Sequence, residues 1–150
     1  AMPTDAGDVT AITNLLYTYA ERMDAGDFAG AAELFRHATI KLAGDAVVDA
    51  EAILAIWESS VRRYADGTPR TKHVTTNVIV DIDPAGDTAR TRSYYTVLQQ
   101  TDTLALQPII AGRYHDTFER HDGAWRWAER DYSLVDLVGD LSQHLTMTLP

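Results

Sequence analysis

The chain has 150 residues, a formal net charge of −9 and no cysteine, with 45% hydrophobic and 23% charged residues. This is the size and composition of one globular domain, and disulfides and thiolate chemistry are excluded. An acidic chain without a lysine or arginine cluster is a poor binder of phosphate backbones, so we expect no nucleic-acid partner. No apolar run approaches the roughly 20 residues of a membrane span, and the first residues do not read as a signal peptide. We therefore expect no membrane association and a cytoplasmic location.

The first half of the chain is predicted to be mainly helical. Apolar residues at helical spacing predict an amphipathic helix from Asp8 to Met23. Asp27 is the expected N-cap of a second helix that runs to about His37, and a third helix is predicted from Ala50 to Tyr64. Two short strands are expected between the second and third helices, at residues 38–42 and 46–48.

The second half is predicted to be strand. The long strands are expected at residues 71–82, 88–101, 106–120 and 124–134, with His121-Asp122-Gly123 as a tight hairpin turn. Asp140 and Ser142 suggest the start of a short helix in the tail. Helices followed by an antiparallel meander predict an α+β fold, here a single domain over residues 1–150. We expect a strongly curved sheet that wraps around the three helices as a cone-shaped barrel.

Two of the five histidines lie inside predicted strands. His73 shares one strand face with Thr75, Asn77 and Ile79, whereas Val74, Val78 and Val80 form the other face. His115 alternates with the apolar residues Tyr114 and Phe118 of its strand. A polar strand face is either exposed or lines a polar pocket, so His73 and His115 are both candidate bases. No catalytic role is expected for the other three, His37 at a helix end, His121 in a turn and His144 in the tail.

Asp24 follows the last turn of the first helix, where the helix dipole disfavours an anion unless a cation is near. A histidine beside the carboxylate would supply this positive charge when protonated, and the carboxylate would hold its ring in one tautomer. The residue pattern alone leaves open whether His73 is that histidine. Tyr19 lies five residues before Asp24, on the apolar face of the same helix.

Three segments together resemble the SnoaL-like, or nuclear transport factor 2-like, superfamily. Residues 15–27 with Leu34-Phe35 are similar to its first helix and to the two aspartates, here Asp24 and Asp27, that follow this helix. Residues 72–79, with His73 and Asn77, are similar to its first long strand. Residues 111–126 are similar to its final hairpin, which ends in Trp125. The pattern is most similar to the branch of scytalone dehydratase, bile-acid 7α-dehydratase and hexachlorocyclohexane dehydrochlorinase.

The resemblance implies a lyase without cofactor or metal. By it, His73 paired with Asp24 removes a proton from carbon, and Tyr19 donates a proton or hydrogen bond to a leaving or carbonyl oxygen. His115 is matched to a second histidine of scytalone dehydratase. Arg130 is matched to an arginine that holds an anionic oxygen, and its alternative is a structural salt bridge to a nearby carboxylate.

The substrate implied is a small, largely apolar and cyclic hydroxy or carbonyl compound. Its pocket is expected to be lined by Trp57, Tyr95, Val97, Ile109 and Leu134, for which ordinary core packing is the alternative. Arg130 has Asp116, Glu129 and Asp131 as possible ion-pair partners.

Three other functions stay open. A polyketide cyclase or a ketosteroid-type isomerase would use the same base, and a ligand-binding module or oxygenase small subunit would use none. A metal site of His73, His115 and Asp24 lacks a spacing motif. Because open sheets often bury one face by self-association, we expect a homodimer or homotrimer to which residues 132–145 contribute.

Overall fold

The computed structural model describes residues 6–148. The first five residues, for which no signal peptide was predicted, lie outside the described residues. The described chain forms the helices α1 (Ala6–Asp24), α2 (Phe28–Glu33) and α3 (Ala50–Ser60). None of these helices is long and apolar enough to cross a membrane. Asp27 is the N-cap of α2, as predicted, and its carboxylate accepts a hydrogen bond from the Gly30 N–H at 2.9 Å.

Two helices end earlier than predicted. After Glu33 the chain continues as successive tight turns, in which the Arg36 N–H donates to the Glu33 carbonyl. Helix α3 ends at Ser60 because Val61 is extended, with φ −94° and ψ 125°, and pairs with Leu145 in the tail. The last turn predicted for α3 is thus replaced by a contact with a distant segment.

Seven strands form one mixed sheet in the described part of the chain. They are β1 (Thr39–Lys41), β2 (Val47–Val48), β3 (Thr71–Ile82), β4 (Thr88–Gln99), β5 (Gln107–His121), β6 (Ala124–Asp131) and β7 (Val135–Val138). The order is β2-β1-β6-β5-β4-β3, with β7 also paired to β5, and only the β1–β6 pair is parallel. The α+β prediction is confirmed, and the sheet curls around the helices without closing, so it is an open sheet and not a complete barrel.

The tail departs from the prediction. Strand β6 ends at Asp131 because that carboxylate accepts hydrogen bonds from the main-chain N–H and hydroxyl of Ser133, which turns the chain. Strand β7 follows where none was predicted. Asp140 makes the same kind of turn with Ser142, and no helix forms there.

A β-bulge in β3 changes which residues face the helices. Asn77 has a φ of +42°, and the register with β4 shifts between Thr76 and Ile79. Before the bulge the odd positions, including His73, face inward, and after it the even positions do. Val74 and Ile79 are therefore 39% and 44% exposed, so the single apolar face predicted for Val74, Val78 and Val80 was wrong.

The end of α1 is fixed by a glycine. Gly26 has a φ of +78°, and a Cβ there would lie 2.1 Å from the Gly67 carbonyl oxygen. Only glycine permits both this conformation and this close approach. The sharp turn ends α1 at Asp24 and sets that carboxylate against β3, with which α1 packs.

Candidate active site

His73 and Asp24 form a buried pair. His73 Nδ1 and Asp24 Oδ1 are 2.6 Å apart, and only 7% and 9% of the two side chains is exposed. A carboxylate can only accept, so Nδ1 carries the proton and donates it. Nε2 then bears the lone pair, and it makes no hydrogen bond to any described residue.

The Asp24 carboxylate accepts three hydrogen bonds from the residues that the structure describes. Its second oxygen accepts from the main-chain N–H of His73 at 2.8 Å, and Oδ1 also accepts from the Thr71 hydroxyl at 2.9 Å. Strand β3 is at the edge of the sheet, so this main-chain N–H would otherwise have no strand partner. Asp24 therefore fixes the strand and the imidazole together.

A cleft of about 600 Å³ lies between α1 and β3 and reaches this pair. It is lined by Tyr17, Ala20, Glu21, Asp24, Ala25, Thr68, Lys72, His73 and Thr75. The His73 side chain is on the inner face of β3, and its cross-strand partner Val97 is 2% exposed. The pair thus borders solvent on one side and the interior of the domain on the other.

Tyr19 contacts the imidazole. Its ring meets the His73 ring edge-on, with centroids 6.1 Å apart, and its hydroxyl is 2.8 Å from the Tyr132 hydroxyl. Burial, and then the neighbouring phenol of Tyr132, hold the pKa of Tyr19 well above the usual tyrosine value. The Tyr19 hydroxyl therefore keeps its proton at neutral pH and can donate or accept in its bond to Tyr132, and its proposed part in catalysis stays a prediction.

Arg130 forms an ion pair instead of facing the cleft. Its Nε and Nη2 lie 2.8 and 3.2 Å from the two carboxylate oxygens of Asp116, and both side chains are fully buried. The guanidinium lies 3.7 Å from the centre of the Tyr114 ring. Burial would lower the pKa of Arg130, but Asp116 raises it above the usual arginine value. The ion pair with Asp116, given above as the alternative, is therefore the arrangement present.

The structure does not bring His115 to the pair. His115 is exposed on β5, on the face opposite Tyr114 and Phe118, which are buried. The resemblance matched His115 to a second active-site histidine, but the alternation of β5 directs it away from the interior. The metal set of His73, His115 and Asp24 is not assembled, and residues 6–148 contain no other cluster suited to a metal ion.

The five residues predicted to line the pocket differ in position. Tyr95, Val97 and Ile109 are buried on the inner face of the sheet, and Trp57 is buried on α3 with its ring 6.1 Å from that of Tyr19. Leu134 is only partly buried, and its carbonyl accepts a hydrogen bond from the Arg113 N–H. Trp57, Tyr95, Val97 and Ile109 thus lie in the interior on the side of His73, and they are also part of the hydrophobic core.

Sequence reasoning missed His144. It was assigned to the tail, yet its side chain is buried close to His73 and Asp24. Burial, followed by the nearby His73 ring, lowers the pKa of His144 to about 4. The sequence around it, Ser142-Gln143-His144-Leu145-Thr146, is mostly polar and gives no signal of such a contact.

Comparison with known families agrees with this architecture. The family model described as the SnoaL-like domain matches residues 4–131. The chain belongs to the SnoaL-like family. No curated protein matches it significantly.

Solved structures also resemble this SnoaL-like protein. Rv3472 from Mycobacterium tuberculosis, of unknown function, is 25% identical with a TM-score of 0.70, over 87% of this chain and 73% of that one. A protein of unknown function with a cystatin-like fold from Nostoc punctiforme is 19% identical with a TM-score of 0.73, over 93% of this chain and 99% of that one. A provisionally named scytalone dehydratase from Novosphingobium aromaticivorans is 20% identical with a TM-score of 0.68, over 89% and 87%. At such identities the last two likenesses establish the fold alone.

Proposed function

We propose that this SnoaL-like protein is a cofactor-free lyase that removes water from a small, cyclic hydroxy-carbonyl compound. The observation that carries the proposal is the 2.6 Å contact between His73 Nδ1 and Asp24, with Nε2 free of hydrogen bonds to residues 6–148. A neutral imidazole held in this tautomer is a general base with its lone pair available. The provisional name of one structural neighbour, scytalone dehydratase, agrees with this reaction class.

The reaction begins at the carbon next to the carbonyl group. His73 Nε2 takes a proton from this carbon, and the electron pair moves into an enolate. As the carbon–carbon double bond forms, the bond to the neighbouring hydroxyl breaks, and the leaving oxygen takes the proton from the imidazolium. The products are water and an unsaturated ketone, and His73 is neutral again.

Asp24 stays ionised throughout and stabilises the imidazolium as it forms. Its bonds to Thr71 and to the His73 N–H prevent it from turning away. A positioned base of this kind contributes roughly 10²–10⁴-fold to the rate. The rest of the acceleration must come from groups that hold the enolate oxygen.

An apolar ring suits the surroundings of the base. Tyr95, Val97 and Ile109 lie on the inner face of the sheet with His73, and Trp57 lies opposite on α3. These side chains offer hydrocarbon and aromatic surface, which favours a ring with few charges.

Isomerisation or cyclisation is the second candidate. In an isomerisation the enolate must persist until a proton returns to carbon, and in a cyclisation until its carbon attacks a second carbonyl group, so hydrogen-bond donors near the base are required. The paired hydroxyls of Tyr19 and Tyr132, beside the His73 ring, favour this alternative.

Product analysis with 3-hydroxy-1-tetralone tests the proposal. Loss of water from this hydroxy ketone gives an enone, which tautomerises to the aromatic 1-naphthol. The 1-naphthol is detected by its fluorescence. We expect the wild type to form 1-naphthol and His73→Gln to do so at least about 100-fold more slowly. His37→Gln, which removes an exposed histidine, is the matched control. Equal rates for the wild type and His73→Gln would reject the lyase, whereas deuterium uptake without water loss would favour the isomerase.

A further inference from the structure

The C-terminal strap, residues 141–146, crosses the end of the sheet where β3 begins and β4 ends. The Arg62 N–H donates to the His144 carbonyl and the Thr146 N–H to the Ser60 carbonyl, both at 2.8 Å. Leu145 forms a β-bridge with Val61. The strap is thus held to the end of α3 by main-chain hydrogen bonds, which do not depend on the identity of its side chains.

Gln99 ties the strap to the strands that carry the base. Its Nε2 donates to the Gln143 carbonyl at 2.9 Å and to the Pro69 carbonyl at 3.0 Å. Gln99 is also the cross-strand partner of Thr71, whose hydroxyl donates to Asp24. The residue after Gln143 is therefore placed next to the His73–Asp24 pair.

Two buried polar atoms in this corner have no hydrogen-bond partner among the described residues. They are Nδ1 of His144, whose residue is 9% exposed, and Oε1 of Gln99, whose residue is 1% exposed. A buried polar atom without a partner destabilises the protein, because its hydrogen bond to water is lost and not replaced. One is a ring nitrogen able to carry a proton, and the other can only accept. A ligand with both a carbonyl and a hydroxyl group would satisfy the two together.

We propose that His144 is a second catalytic residue, whose neutral ring donates a hydrogen bond from Nδ1 to the carbonyl oxygen of the substrate. The hydroxyl of the same substrate donates to Gln99 Oε1. This assignment rests on the proposed lyase function. It extends that function by naming the two groups that recognise a hydroxy ketone.

The charge state of His144 suits this role. Its pKa, lowered to about 4 by burial and by the nearby His73 ring, keeps the imidazole neutral at physiological pH. A neutral ring donates without giving up its proton, so the enolate oxygen is stabilised and no proton has to be replaced. A second cation beside His73 would oppose the imidazolium that forms there, and a neutral donor avoids this conflict.

Binding of a matched pair of ligands tests the proposal. Both 1-tetralone and tetralin have the same ring skeleton, but only 1-tetralone has a carbonyl oxygen. Their dissociation constants are measured by quenching of tryptophan fluorescence. We expect His144→Phe to reduce the preference for 1-tetralone over tetralin about tenfold, and His144→Gln, which keeps a donor, to retain part of it.

A strap variant separates loss of the donor from loosening of the tail. Thr146→Val removes the hydroxyl that donates to the Ser59 carbonyl at 3.1 Å and leaves His144 in place. We expect it to keep the ligand preference of the wild type. An equal loss of preference in Thr146→Val and His144→Phe would overturn the proposal, because the effect would then come from the strap.

The dehydration assay distinguishes the two proposals. If 1-naphthol formation depends on His73 but the ligand preference is unchanged in His144→Phe, the lyase stands and the role of His144 is wrong. If the preference depends on His144 and no 1-naphthol forms, the carbonyl subsite stands and the lyase is wrong. Failure of both ligands to bind the wild type overturns both.

Discussion

Asp24 holds His73 at two points, through the ring Nδ1 at 2.6 Å and through the main-chain N–H at 2.8 Å. A carboxylate that fixed only the ring would leave the strand free to shift at the edge of the sheet. With both contacts the imidazole has one position and one tautomer. The orientation of the base is therefore part of the fold and is present before a substrate binds.

Replacement of Asp24 by Asn should separate position from charge. The amide is close in shape to the carboxylate, but it no longer stabilises an imidazolium and no longer dictates which ring nitrogen carries the proton. We expect kcat for 1-naphthol formation to fall about 10²–10⁴-fold, with a far-ultraviolet circular dichroism spectrum like that of the wild type. A loss smaller than about threefold would show that the carboxylate does not assist the base.

Thr71→Val tests the support of the carboxylate. It removes one of three hydrogen bonds to Asp24 and keeps the shape of the side chain. Because a hydrogen bond to a charged group contributes about 1.5–3 kcal/mol, we expect a measurable loss of unfolding free energy and a smaller loss of kcat than in Asp24→Asn. Urea denaturation and the same fluorescence assay check the two effects, and a kcat loss larger than that of Asp24→Asn would contradict this order.

Arg130 is expected to contribute to stability through Asp116. Arg130→Met leaves the Asp116 carboxylate buried, and the indole N–H of Trp127 is then its only side-chain partner within the described part of the chain. We therefore predict a loss of about 3–5 kcal/mol in the free energy of unfolding. The double variant Arg130→Met with Asp116→Leu removes both charges and should recover much of this loss. Urea denaturation of the three proteins gives the comparison. Arg130→Met with unchanged stability and reduced kcat would instead support the substrate-binding role.

His144 predicts a specific dependence of stability on pH. Its pKa is about 4 when folded and about 6.5 when unfolded, so between these values the unfolded chain binds more protons. Stability from this group is therefore complete above about pH 6.5 and is lost as the pH falls towards 4. Between pH 7 and pH 5 the loss is about 2 kcal/mol. His144→Gln should lack this part of the slope, and His37→Gln should retain it, in urea denaturation at both pH values.

Asn77 should be the position in β3 most sensitive to backbone preference. Its φ of +42° is tolerated by Asn and Gly but opposed by β-branched side chains. We expect Asn77→Val to destabilise the protein by about 1–2 kcal/mol and Asn77→Gly to be close to neutral. Asp81→Val, at an exposed position of ordinary strand geometry, is the control. Equal effects of Val at positions 77 and 81 would show that the bulge is not what limits position 77.

Local patterns predicted the helices and the long strands, whereas the His73–Asp24 pair was predicted only by the resemblance to a family. The bulge at Asn77 was not predictable because one additional residue reverses the faces of a strand without changing its composition. The alternation of β5 already separated His115 from Tyr114 and Phe118, but a polar strand face left open whether His115 lies at the surface or in a pocket, and the structure shows that it is exposed. His144 was missed because its position depends on Gln99 and on the end of α3, which are distant in the sequence.

Exchange of carbon-bound hydrogen tests the central claim most directly, since it needs no leaving group. In deuterium oxide, a base at His73 should catalyse uptake of deuterium at the carbon next to the carbonyl of 1-tetralone, followed by mass spectrometry. We predict clear acceleration by the wild type and by His37→Gln, and at least about 100-fold less by His73→Gln. Exchange at the same rate with the wild type and with His73→Gln would contradict the account.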